Sequence, residues 1–154
     1  MNHSLKVGFN FGVTSGIITT LGLMIGLNTA TSSKLAVIGG ILTIAIADAC
    51  SDALGIHISE EGENKHTQIE VWQSTITTFF FKFIFASTFI VPFLIFSMTN
   101  ALILNLILGF VLLAAFSYNL SKKNKWNAMF EHLFLAVLVI VLSYGVGKLV
   151  ELIV

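Results

Sequence analysis

The chain has 154 residues, of which 56% are hydrophobic and 10% charged, with a formal net charge of zero and a mean hydropathy of +0.93. A soluble domain carries about 25% charged residues, so the charge deficit puts this chain in lipid, and the zero balance leaves no electrostatic case for nucleic acid as a partner. The only cysteine, Cys50, excludes an intramolecular disulfide and a thiolate metal cluster within one chain.

A membrane-spanning helix needs about 20 apolar residues. Five such runs fill almost the whole length, so residues 1–154 read as a single transmembrane domain. The predicted helices cover 5–27, 34–59, 71–97, 100–120 and 127–152. The runs are continuous, which excludes the alternating short segments of an outer-membrane barrel. The first is longer than a signal-peptide core and no small-residue cleavage site follows it, so it reads as the first membrane helix. A polar connector, Glu60 to Glu70, separates the second and third runs. The short connectors make successive helices antiparallel.

Orientation follows from lysine, since the chain has no arginine. With the N-terminus inside, Lys6, Lys65, Lys122, Lys123 and Lys125 are inside and Lys34 and Lys148 outside. That asymmetry predicts an N-in, C-out topology. Nothing in the chain resembles an organelle address, and the expected location is a prokaryotic cell membrane.

The first helix carries Gly8, Gly12 and Gly16 at four-residue spacing, then Gly22 and Gly26 at the same spacing. In lipid, small residues let helix backbones approach until dispersion holds them. The second helix repeats the theme in Ala45, Ala49 and Ala53, and in Ser51, Gly55 and Ser59. These faces predict a tight contact between helices 1 and 2, within a subunit or across a homodimer.

The second helix also carries Asp48, near its middle, and Asp52 one turn further on the same face. A charged side chain at the bilayer centre costs at least about 2.5–3.5 kcal/mol, and two carboxylates one turn apart repel. A divalent cation, a shared proton, a lysine or a water-filled path must offset this. Hard cations favour oxygen ligands, so the pair is a candidate site for a transported divalent metal, with protons as the alternative occupants. Lys82 on the third helix is the structural alternative, as an ion-pair partner. Ser15 and Thr14 are candidate neutral oxygen ligands from helix 1. Toward the inner mouth, His57, Glu60, Glu61 and Glu63 form an acidic, His-containing stretch suited to gathering cations.

No Ser-His-Asp, Cys-His or Gly-rich phosphate motif is present, so the reading is not an enzyme and any transport is passive or driven by an ion gradient. No resident cofactor is expected.

At these residues the chain resembles the vacuolar iron transporter family. Thr14-Ser15-Gly16-Ile17-Ile18-Thr19-Thr20-Leu21-Gly22 lies over the family's first-helix motif, and Ala47-Asp48-Ala49-Cys50-Ser51-Asp52-Ala53-Leu54-Gly55 over the end of its second. Pro92-Phe93-Leu94 and Tyr144-Gly145-Val146-Gly147-Lys148 look like its third- and fifth-helix motifs. The resemblance covers nearly the whole chain. It implies a homodimer that exchanges cytoplasmic Fe²⁺ or Mn²⁺ for protons, through a pathway between helices 1 and 2 of both subunits. It sets Asp52 in the place of the family's helix-2 glutamate and Asp48 in that of a metal-binding methionine. Ser15 replaces the family's helix-1 aspartate. The connector of about eleven residues replaces the family's long acidic cytoplasmic domain. A non-transporting scaffold on the same fold is the alternative reading.

Overall fold

The computed structural model describes residues 3–121 and 124–153. Lys122 and Lys123, two of the three lysines in the cluster used for orientation, lie outside the described residues. Six helices follow in chain order: α1 (His3–Thr31), α2 (Lys34–Gly62), α3 (Gln68–Thr88), α4 (Ile90–Ile95), α5 (Met98–Leu120) and α6 (Lys125–Ile153). With α3 and α4 forming one broken span, five stretches are long and apolar enough to cross a membrane. The protein is an all-helical, multi-pass membrane protein.

The expected third helix, 71–97, is not continuous. It breaks at Phe89, where the backbone N–H turns back to Ala86 O at 3.2 Å. Pro92 explains the break, because it has no N–H to donate into the preceding turn and its ring crowds that turn's carbonyl. Asn105 of α5, fully buried, repairs part of the damage by donating from Nδ2 to Phe89 O at 2.9 Å. Lys34 donates to Phe96 O at 2.9 Å beyond the end of α4, where a cation suits the negative end of a helix.

The left-handed position after each early helix is not a glycine. Ser32 (φ 49°) follows α1 and Asn64 (φ 52°) follows α2, and short polar side chains tolerate this left-handed geometry. Helix α2 starts on Ser33, whose side chain accepts from Ala36 N. Helix α3 starts on a capping box between Thr67 and Glu70. Because α2 runs on to Gly62 and α3 begins at Gln68, the expected connector from Glu60 to Glu70 shrinks to residues 63–67.

Helix α1 is central, packed against α2, α3, α5 and α6. Its glycines face elsewhere than expected. A Cβ on Gly12 would meet Thr78 O at 2.7 Å, and one on Gly16 would meet Lys82 O at 3.1 Å, so this run faces α3. A Cβ on Gly22 would meet Val139 Cγ1 at 2.7 Å, and one on Gly26 would meet Ser143 O at 3.3 Å, so that run faces α6. The closest approaches of α1 are therefore to α3 and α6, not to α2. The reason is the six-residue step from Gly16 to Gly22, which turns the second run by about 240° from the first at 3.6 residues per turn.

Helix α2 divides as its two small-residue runs suggest. Ala45, Ala49 and Ala53 are buried in the bundle, whereas Ser51, Gly55 and Ser59 are exposed, with open space around Gly55. The apolar core gathers Val13, Ile17, Leu21 and Met24 of α1 with Val37 and Ile41 of α2, Phe89, Phe93 of α4, and Leu113 of α5. Helix α6 keeps most of its surface outside, where Phe134, Val141, Val146 and Leu149 are exposed.

Candidate functional site

Three helices bring their polar residues together at one depth. Asp48 lies fourteen residues from Gly62 and Lys82 fourteen residues from Gln68, each about 21 Å along its helix at 1.5 Å per residue. Helices α2 and α3 run antiparallel, so the two side chains meet near the middle of both spans. Gly12 and Gly16 let the α1 backbone approach α3 at this level, which also brings Ser15 within reach.

Lys82 Nζ lies 2.5 Å from Asp48 Oδ2 and forms a still closer pair with Asp52 Oδ2. It also donates to Ser15 Oγ at 2.9 Å, and Ser15 donates to Asp52 Oδ2 at 2.7 Å. The lysine side chain is 1% exposed, Asp52 21% and Asp48 34%. Asp52 thus has two partners and the deeper position. Asp48 has one partner and stands at the surface of the single chain. With both carboxylates ionised, two negative groups and one positive group leave the cluster one negative charge in excess. A buried ion pair survives only if its geometry and extra hydrogen bonds repay desolvation, and the Ser15 hydroxyl supplies two of those bonds.

Lys82 is therefore the partner that the two aspartates require, and Ser15 is the helix-1 oxygen that joins them. Thr14 does not. It lies on another face of α1, donating to Asn10 O at 2.7 Å and lining a cleft with Ser117 and His132. Thr19 and Thr20 likewise bond back to their own helix, as hydroxyls in membrane helices do. Of these helix-1 hydroxyls, only that of Ser15 serves another helix.

The residues expected at the inner mouth are spread over several contacts. His57 Nδ1 sits 3.0 Å from Thr75 Oγ1, and its ring packs edge-on against Trp72. Glu60 is turned inward and buried, with Oε2 3.6 Å from His66 Nε2. Glu61 accepts from Gln68 Nε2 at 3.4 Å, and Glu63 pairs with Lys65 at 3.6 Å. Only Glu61 and Glu63 present carboxylates at an exposed surface. The Glu60–His66 pair had no signal in residue spacing, because it depends on the close return of the 63–67 turn.

Among the described residues, no three His, Cys, Asp or Glu side chains assemble in a geometry that would hold a metal. The oxygen donors that do converge are Asp48, Asp52 and Ser15, with the Lys82 ammonium at their centre. Such a cluster can exchange one cation for another, or hold a proton, or simply lock three helices. The chain matches no family model, no curated relative and no solved structure.

Proposed function

We propose that the protein is a proton-coupled transporter of a divalent metal cation, Fe²⁺ or Mn²⁺, of the vacuolar iron transporter type, and that Lys82 is a tethered cation occupying the transport site when no metal is bound. The observation that carries this reading is the Asp48–Lys82–Asp52 cluster near the middle of both spans, one positive charge short of neutrality. Ionisable groups at this depth are expensive and are functional by default. A divalent ion brings the second positive charge that the carboxylates lack. Its arrival requires the Lys82 ammonium to withdraw or to give up its proton, which links metal occupancy to proton release. A proton on either aspartate neutralises the empty site equally well.

The reading includes a homodimer. Gly39, Thr43, Ala47, Ser51, Gly55 and Ser59 form an exposed line at four-residue spacing along α2, beside the partly exposed Asp48. A second α2 laid on this line would cover that carboxylate and bring further oxygen ligands toward the ion. N-in, C-out orientation in a prokaryotic cell membrane remains part of the proposal, with Glu61 and Glu63 as the cation-gathering groups at the inner mouth.

The second reading, a non-transporting scaffold, is favoured by one observation: Asp52 is already satisfied by Lys82 and Ser15. Uptake of Mn²⁺ or Fe²⁺ into proteoliposomes carrying a pH gradient separates the two. Transport by wild type, with a matching change of internal pH and silence of Asp48→Asn/Asp52→Asn, supports the transporter. Equal silence of both folded proteins supports the scaffold.

A further inference from the structure

A second polar cleft lies between α1, α5 and α6, away from the aspartates. One part, about 460 Å³, is lined by Asn10, Thr14, Ser117 and His132. A second part of about 410 Å³ shares Val7 and Asn10 with it and reaches His3 and Lys6 at the end of α1. Three properties decide what it holds.

Its lining carries no carboxylate. Among the described residues, Lys6 is exposed and forms no ion pair, and His3 at the outer end packs edge-on against His66. Its polar groups are ready to bind. Among the described residues, the Asn10 side chain makes no hydrogen bond, and His132 engages Ser117 Oγ through Nδ1 at 2.8 Å. Its opening is lateral. Phe11 on the rim is 40% exposed within an apolar span, so the cleft gives onto the bilayer.

We propose that this cleft binds one anionic phospholipid from the leaflet at the Lys6 end of α1. Lys6 and His3 take the phosphate, Asn10 and His132 meet the glycerol ester region, and Val7, Phe11 and Leu120 line an acyl chain. Basic pockets between membrane helices recognise anionic head groups in this way. A free anion has no use for the apolar wall, and a zwitterionic lipid gains nothing from an unpaired lysine. The inference does not depend on the transport reading.

The test is native mass spectrometry of the purified full chain in detergent, with phosphatidylglycerol, phosphatidylcholine or glycerol phosphate added, beside thermal unfolding in each. Wild type should retain one phosphatidylglycerol per chain. Lys6→Gln should lower that retention by about fivefold, the loss of one surface lysine, and Asn10→Leu should lower it further, with phosphatidylcholine retention unchanged. His3→Gln serves as a second charge variant should Lys6→Gln unfold. Equal retention of the two lipids, or variants that hold phosphatidylglycerol as well as wild type does, overturns the proposal. Stabilisation by glycerol phosphate equal to that by phosphatidylglycerol also overturns it, in favour of a soluble-anion site.

Discussion

Lys82 lies 2.5 Å from Asp48, yet the lysine side chain is 1% exposed and the aspartate 34%. The cation is held inside the bundle and the anion stands at its surface. With Asp52 on its other side, Lys82 serves two carboxylates that are not equivalent.

That inequality predicts different costs for removing each charge. Asp52→Asn takes away a buried partner bonded to both Lys82 and Ser15, and should lower stability by about 3–5 kcal/mol, the usual cost of breaking a buried pair. Asp48→Asn leaves a balanced Lys82–Asp52 pair and removes the excess negative charge. It should change stability by no more than about 1 kcal/mol and can raise it. Thermal unfolding in detergent, at one pH and without divalent metal, measures both. Equal losses would mean that the two carboxylates share Lys82 evenly.

Helix α1 depends on its glycines for reach rather than for flexibility. Gly12→Ala places a methyl 2.7 Å from Thr78 O, a backbone atom that cannot rotate away. It should separate α1 from α3 and cost about 1–3 kcal/mol, the range for overpacking. Gly55→Ala meets nothing within 4 Å and should leave the folded single chain unchanged or slightly more stable, since alanine favours helix by up to about 1 kcal/mol. Unfolding midpoints of the two variants test the contrast. Loss of self-association in Gly55→Ala, read by cross-linking or light scattering, would locate the dimer contact on α2.

The broken third span makes its own demand. Asn105 holds Phe89 O through Nδ2, while its Oδ1 is buried with no hydrogen-bond partner among the described residues. Asn105→Leu removes the donor and leaves the carbonyl unsatisfied in an apolar core, which should cost about 1–3 kcal/mol. Hydrogen exchange at the backbone amides of residues 89–96 should rise in the variant. Unchanged exchange would show that the break is held by Pro92 alone.

Much of this arrangement was legible in the sequence. The five apolar runs marked the spans because lipid demands length and low charge, a signal that survives ignorance of packing. Asp48 and Asp52 stood out because nothing in a bilayer tolerates two carboxylates cheaply, and Lys82 was visible as a possible partner. Its central place was not, since the depth at which α3 meets α2 depends on how far α2 extends past Glu60. The partners of the glycine runs were equally hidden. Four-residue spacing defines a face but not what that face meets, and the step between Gly16 and Gly22 divides α1 between α3 and α6. Thr14 and Ser15 are neighbours in sequence and nearly a third of a turn apart in space, which is why only one of them reaches the aspartates.

The central claim is that Lys82 holds the place of a transported cation. Isothermal titration of Mn²⁺ into purified wild type, Lys82→Gln and Asp48→Asn/Asp52→Asn tests it most directly. Removing the tethered charge should tighten Mn²⁺ binding by about tenfold or more, a change of roughly 1.4 kcal/mol, and the double aspartate variant should not bind. If Lys82→Gln remains folded and binds Mn²⁺ no better than wild type does, the lysine and the metal do not compete, and the cluster is a structural lock between α1, α2 and α3.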